Sequence, residues 1–359
     1  MEDTSLPAFE GPVCPLPLAH EEQIVIGHGS GGRMTHDLIR KVFLPRLSSG
    51  PLSAGNDFAR LTLPEAAALR GRLSVSTDSH IVTPLFFPGG DIGRLAICGT
   101  VNDMSMSGAV PLYITAGFIL EEGLPVSTLE RVVESMRAAA EEAGVQIVAG
   151  DTKVVEKGKA DQLFINTAGV GWISEERVIG GEQAKPGDVV LVSGTLGDHG
   201  IAVLAARGEL GFETGVESDV APLNHLIADV LAAAPNTHVL RDPTRGGLAT
   251  TLNEIAAQSR VSIWLEEKSI PLNPSVRAAC EMLGFDPLYV ANEGKLIVIV
   301  PEAEAEAALA AMRASPYGRA AARVGTVRAA DPGRVLVRTL IGGTRIMDML
   351  AGEMLPRIC

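Results

Sequence analysis

The chain has 359 residues, enough for two domains each with its own core. Its formal net charge of −13 argues against nucleic acid and anionic membranes as partners, since those call for basic patches. It contains no run of about 18 or more apolar residues, so no transmembrane span is expected.

The first stretch, "MEDTSLPAFEGPVCPLPLAHEEQ", is acidic and proline-rich. It lacks the basic and apolar regions of a signal peptide. It reads as a flexible arm over 1–22, in a cytoplasmic protein. Next comes "IVIGHGSGGRMTHDLIRKVF", which matches G-x-G-x-x-G through Gly27, Gly29 and Gly32. A dinucleotide fingerprint also wants an acidic residue about 20 positions on, ending a second strand. That region, "PRLSSGPLSAGND", reads as loop. No G-K-[ST] follows, so this is not a P-loop. Two readings stay open for Gly29, Gly31 and Gly32: a loop whose N–H groups approach phosphate, or a simple turn.

Strands are expected at "RLSVSTD", "PLYITAGFIL", "LFINTAGVGWI", "DVVLVSG", "SIWLEE" and "GKLIVIV", all rich in β-branched residues and bounded by Gly, Pro or Asp. A helix opens after "PGGD" with Asp91 as its N-cap and runs through "IGRLAICGTVNDMSMSG". A second lies in "PVSTLERVVESMRAAAEEAG", with Ser127 or Thr128 as cap and Gly144 as stop. The strand "VQIVAG" follows it, and then "DTKV". A third helix starts after "RDPTRGG". Strands and helices mix without strict βαβ alternation, which suggests α+β layering. The polar "ISEERVIGGEQAKPGD" suggests a boundary between domains over 23–175 and 176–331, and 332–359 reads as a tail with one short strand.

Four aspartates lie in glycine-rich or small-residue settings: Asp57 ("GNDFARL"), Asp78 ("VSTDSH"), Asp103 ("GTVNDMSM") and Asp151 ("VAGDTK"). Each alone reads as a cap or turn. Together they suit Mg²⁺, which favours oxygen ligands shared with phosphate. Arg241, Asp242 and Arg245 precede a Gly-Gly helix start, a place that suits an anion. Lys153 and Glu293 ("ANEGKL") are either solvated, or proton-transfer groups if they line a cleft. Cys14, Cys98, Cys280 and Cys359 form no C-x-x-C pair, so neither zinc nor a disulfide framework is indicated. Cys98 and Cys280 read as buried small hydrophobes. Cys359 ends "GEMLPRIC", and composition and spacing leave it unexplained.

"FFPGGDIGRLAICGTVNDMSMSGAVP", "GDTKVV", "GTLGDHG", "RDPTRGG", "ANEGKL" and "LPRIC" together resemble the HypE family, the carbamoyl dehydratases of nickel–iron hydrogenase maturation. The likeness runs from about residue 22 to Cys359. It implies a two-domain PurM-like α+β fold with a flexible C-terminal tail, ATP and Mg²⁺ as cofactors, and a homodimer formed through the N-terminal domains. It also implies that a HypF-like carbamoyltransferase loads a carbamoyl group onto Cys359. The chain then dehydrates that group to a thiocyanate with ATP, and cyanide passes to iron on a HypC–HypD-like scaffold complex. By resemblance, Asp78, Asp103 and Asp151, with Asp57, hold the metal. Asn102 and Asp242 contact nucleotide or metal, and Lys153 and Glu293 handle protons. Lys153 acts as a base only if desolvation or a nearby positive charge lowers its pKa. Rival readings are another PurM-like enzyme, of the selenophosphate synthetase or thiamine-phosphate kinase type, and a non-catalytic thiol carrier.

Overall fold

The computed structural model describes residues 22–30, 33–47, 49, 61, 71–174, 176–208 and 214–350. Asp57, Gly31, Gly32 and Cys359 lie outside the described residues.

The first domain is a four-stranded sheet in the order β1 (Arg72–His80), β6 (Leu163–Ile173), β4 (Val110–Glu121), β5 (Gln146–Val155). β1, β6 and β4 pair antiparallel, and β5 joins β4 parallel, while β2 (Phe86–Phe87) and β3 (Gly90–Asp91) form a separate two-stranded ribbon. Near the start of the chain, α1 (Arg33–Leu38) continues through a π-helical turn into α2 (Leu44–Leu47). Two long helices cover the inner face of the sheet. The first, α3 (Ile92–Met106), starts where expected: the Asp91 carboxylate accepts from Gly93 N at 2.7 Å and Arg94 N at 3.1 Å. The second, α4 (Val126–Ala143), begins earlier than expected. Pro125, not Ser127 or Thr128, takes the cap position; its ring has no polar atom to make a cap bond, and its restricted φ sets the entry to the helix. Gly144 ends it at φ 71°, a left-handed conformation that glycine adopts without strain. Leu95, Val101, Met104, Leu129, Val133 and Met136 bury against Ile114, Phe118, Leu120 and Ile165. Cys98 is buried in the same core, as its apolar setting suggested.

"VQIVAG" and "DTKV" form one strand, β5, so Asp151 and Lys153 lie inside the sheet rather than beyond it. The outer face of this sheet carries Leu73, Val75, Val110 and Ile119, all exposed.

The second domain holds a seven-stranded sheet in the order β13 (Thr344–Ile346), β12 (Val335–Arg338), β9 (Ser262–Glu266), β11 (Ala322–Arg328), β7 (Asp188–Val192), β10 (Ile297–Pro301), β8 (Val239–Arg241). β7 is buried throughout and β10 nearly so. That explains why "DVVLV" and "LIVIV" are continuous apolar runs rather than alternating ones. The other elements are α5 (Asp198–Ala206), α6 (Asn224–Ala233), α7 (Gly247–Ser259), α8 (Pro274–Leu283), which buries Cys280, and α9 (Ala305–Ala314). α7 contributes to the core on one side of the sheet, and α6 and α9 to that on the other.

The segment 332–359, expected to be a tail with one short strand, supplies two strands to this sheet. β12 pairs with β9, and β13 with β12. The alternation in "RVLVRTLIGGTRIM" lets Val335, Val337 and Met347 bury in the core. Among the described residues no helix is long and apolar enough to cross a membrane.

A strap from the second domain, residues 214–223, lies across the first. Ser218 N donates to Pro88 O at 2.8 Å, and Arg94 Nε donates to Val220 O at 3.0 Å.

Candidate active site at the domain junction

An open, polar cleft of about 240 Å³ lies between the domains. Asp78, Asp103, Asp242, Glu293 and Arg245 line it, with Thr77, Ser79, Gly99 and Thr244. Asp78 is placed by strand β1 and Asp103 by the last turn of helix α3. Gly99 lets that helix approach β1 closely: a Cβ there would stand 2.9 Å from His80 and 3.4 Å from the Asp78 carboxylate. Asp242 and Arg245 come from the loop between β8 and α7. Glu293 comes from the loop before β10.

These carboxyl groups sit in a demanding environment. Asp103 opens to the cleft, yet desolvation by the surrounding protein pushes it up, a 2.8 Å hydrogen bond from Ser76 opposes this, and Asp78's charge adds to it. Burial, then the charges of Asp103 and Asp78, push Asp242 up to about 7. Glu293 is only 6% exposed, and its Oε1 has no hydrogen-bond partner among the described residues. Burial foremost, then Asp242, Asp219 and Asp78, raise it well above the carboxylate range. Behind Asp78, burial holds His80 below its ordinary value, so its ring is neutral, 3.3 Å from the Thr167 hydroxyl. Arg245 is the counter-charge in the lining, 4.0 Å from Asp78.

This arrangement fits a cation. Crowded carboxylates with raised pKa values gain when positive charge enters. Among the described residues, no three His, Cys, Asp or Glu side chains have the spacing of a ready-made metal site. The fit is therefore to an ion that arrives with phosphate oxygens and keeps waters, the usual habit of Mg²⁺. Asp78 and Asp103 would hold it, and Arg245 would face the phosphates.

The remaining expected site residues lie elsewhere. Asp151 and Lys153 pair with each other at 2.9 Å, both exposed on the outer sheet face. Asp151 shares a register row with Gly117, Asn166 and Ser79, so about 14 Å of sheet separates it from the cleft edge. Lys153 foremost holds the Asp151 carboxyl below its usual range. Gly29 packs beside this pair, not at the cleft: a Cβ on it would meet Val154 N at 2.7 Å. Asn102 is absent from the cleft lining, and its amide ties the domains together. Its Nδ2 donates to Ala221 O at 3.0 Å, and its Oδ1 accepts from Leu223 N at 2.8 Å. That leaves its carbonyl and amide engaged in the junction rather than turned to a ligand.

Three charged residues behind the cleft escaped sequence reasoning. Lys295 Nζ lies 3.1 Å from Asp219 Oδ2 and 4.0 Å from Asp198 Oδ2, all three side chains largely shielded from solvent. Asp219 Oδ1 accepts from Glu293 N at 3.1 Å, so the triad holds the Glu293 backbone. Charged residues inside otherwise glycine-rich or apolar segments ("GTLGDHG", "NEGKLIVIV") were the available signal.

Two family models match the chain: AIR synthase related protein, N-terminal domain, over residues 63–173, and its C-terminal domain over 185–338. Carbamoyl dehydratase HypE of Cupriavidus necator is 55% identical over 339 residues, 94% of this chain and 95% of that protein. The crystal structure of a hydrogenase maturation protein HypE in complex with ATP superposes with a TM-score of 0.88 at 52% identity, covering 93% of this chain and 99% of that one. A chain of a HypE–HypF complex gives 0.75 at 50% identity, covering 87% and 99%. Thiamine-monophosphate kinase of Stenotrophomonas maltophilia gives 0.60 at 21% identity, covering 85% and 95%, a likeness of fold alone. The chain has the PurM-like two-domain fold and belongs to the HypE family of carbamoyl dehydratases that serve hydrogenase maturation.

Proposed function

We propose that the chain dehydrates a carbamoyl group carried on the sulfur of Cys359 to a thiocyanate, using ATP, and so supplies the cyanide ligand of the hydrogenase iron. The observation that carries this reading is the convergence of Asp78, Asp103, Asp242 and Glu293 with Arg245 in one inter-domain cleft. A relative with 52% identity is known in complex with ATP, which supports a nucleotide in that cleft.

An amide oxygen is a poor leaving group. Bound Mg–ATP supplies the phosphoryl group that makes it a good one. The other tasks fall to the chain. Asp78 and Asp103 hold the cation, Asp57 beside them by resemblance, and Arg245 offsets phosphate charge. Loss of the oxygen as phosphate must be matched by loss of two N–H protons, leaving S–C≡N. Glu293 accepts one of them, through a buried carboxyl oxygen that has no hydrogen-bond partner among the described residues, and Lys153 of a second copy accepts the other.

Asp151 and Lys153 join this site through a second copy. Thr77 and Ser79 alternate onto the outer face of β1 yet line the cleft, so the cleft opens on the face that bears Leu73, Val75, Val110 and Ile119. Two such faces packed together bury that apolar surface, form the homodimer, and carry one chain's Asp151 and Lys153 toward the other's cleft. Desolvation there lowers the Lys153 pKa. A HypF-like enzyme loads Cys359, a HypC–HypD-like scaffold takes the product, and the reaction is cytoplasmic. A known HypE–HypF complex supports the first of these partners.

The test substitutes the carrier thiol. Cys359→Ala is expected to bind Mg–ATP normally and accept no carbamoyl group. Normal loading of that variant contradicts the reading.

A further inference from the structure

Folding gives no reason for the residues at the tip of the β12–β13 hairpin. Gly342 N donates to Thr339 O at 3.0 Å, and Thr339 N to Gly343 O at 2.8 Å, closing a tight turn. Leu340 and Ile341 occupy its two corners, where polar residues are usual. Leu340 is 63% exposed and Ile341 96%. Ile346 on the edge strand and Met349 just after it are exposed too. The Arg345–Asp286 pair at 2.8 Å and the Arg338–Glu266 pair at 3.5 Å lie alongside. An apolar centre with a charged rim is the anatomy of a docking surface. It is presented rigidly, because Leu340 N donates to Glu267 Oε2 at 2.8 Å.

The same hairpin anchors the chain that leads to Cys359. Met347 N donates to Val335 O at 2.8 Å, Asn253 Nδ2 donates to Met347 O at 2.8 Å, and the Tyr289 hydroxyl donates to Asp348 O at 2.7 Å. Gly342 and Gly343 therefore serve a fixed turn, and the tether to the thiol starts after Asp348. Cys359 lies eleven residues on from Asp348. Fully extended, that stretch reaches at most about 36 Å. An enzyme acting on the thiol outside the cleft must place its active site inside that radius.

We propose that Leu340, Ile341, Ile346 and Met349 form the docking surface for the carbamoyltransferase that loads Cys359. This rests on the carrier reading of Cys359. The surface lies on the second sheet, so docking leaves the first sheet's outer face free for a second copy. Holding the loader beside the tether root raises the effective concentration of its active site at the thiol.

The test compares the full-length chain with the double variant Leu340→Ser, Ile341→Ser, and with Val178→Ser, an exposed apolar position elsewhere. Each is titrated with a HypF-like carbamoyltransferase, and carbamoyl on Cys359 is read by mass spectrometry. The double variant is expected to need at least tenfold more transferase for half-maximal loading, with ATP binding unchanged and Val178→Ser behaving as wild type. In the unmodified chain, hydrogen exchange over 339–347 is expected to slow when the transferase is added. Equal loading of the double variant, or unchanged exchange, overturns the proposal. So does normal loading with impaired hand-over to the iron scaffold, which would assign the surface to the other partner. Absence of loading in every chain, wild type included, removes the carrier reading and this surface with it.

Discussion

Arg245 of the second domain stands 4.0 Å from Asp78 of the first, across the mouth of the cleft. The pair sets the two domains' charges against each other where a triphosphate would enter. Arg245→Ala leaves the carboxylates without the counter-charge at the lining. Its exposed side chain adds little to folding, so the thermal midpoint is expected to stay within a degree or two. Mg–ATP affinity measured by calorimetry is expected to fall at least tenfold, about 1.4 kcal/mol.

Glu293 and Asp242 make the empty protein sensitive to pH. Both carboxyls titrate higher in the folded chain than unfolded, Asp242 at about 7. Between the ordinary carboxylate range and pH 7 or above, the native state thus holds more protons than the unfolded one. The slope of stability with pH is then negative. The thermal midpoint without ligand is expected to fall as pH rises from about 5 to 8, and saturating Mg–ATP is expected to flatten that fall. Glu293→Gln is expected to lessen the slope, keep ATP binding, and cut dehydration at least a hundredfold. A midpoint that rises over this range contradicts the electrostatic account.

Asn102 is a test of the junction. Asn102→Ala removes the acceptor for Leu223 N and the donor to Ala221 O, all in a buried setting. The expected cost is about 2–4 kcal/mol, read by denaturant titration. An effect confined to nucleotide binding, with stability unchanged, would give Asn102 a ligand role after all.

The two-copy site makes a prediction that a one-chain site does not. Lys153→Ala and Glu293→Gln are each expected to be inactive alone. A mixed dimer of the two variants contains one cleft with an intact Glu293 from one chain and an intact Lys153 from the other. Mixing is therefore expected to restore activity, up to about half of wild type per mixed dimer. No recovery in a verified mixed dimer would place Lys153 outside the partner's cleft. Val75→Arg, on the outer face, is expected to give monomers by sedimentation.

How far the molecule can be read from its sequence depends on where each signal comes from. Asp91 was legible as a cap because capping is local, completed within three residues. β7 and β10 were legible because burial on both faces leaves an unbroken apolar run. Asp151 and Lys153 were placed beyond a strand because β5 has an outer face with nothing over it in a single chain. The inner-face positions that alternate with them, Gly150 and Thr152, are not large apolar residues, so the pattern that marks a strand fades there. Asn102 was read as a ligand contact by resemblance, and its junction role stayed hidden because its partners, Ala221 and Leu223, are far away in sequence. The Lys295–Asp219–Asp198 triad was missed for the same reason. Gly342 and Gly343 form a turn that shows only in the bonds to Thr339.

The central claim is that the group on Cys359 loses water in a cleft organised by Glu293. Mass spectrometry of the carbamoylated chain, before and after Mg–ATP, tests it most directly. The account predicts that the Cys359 peptide loses the mass of one water in the wild type and keeps it in Glu293→Gln. A carbamoyl group that stays intact in the wild type, or that leaves to give the bare thiol, would contradict it.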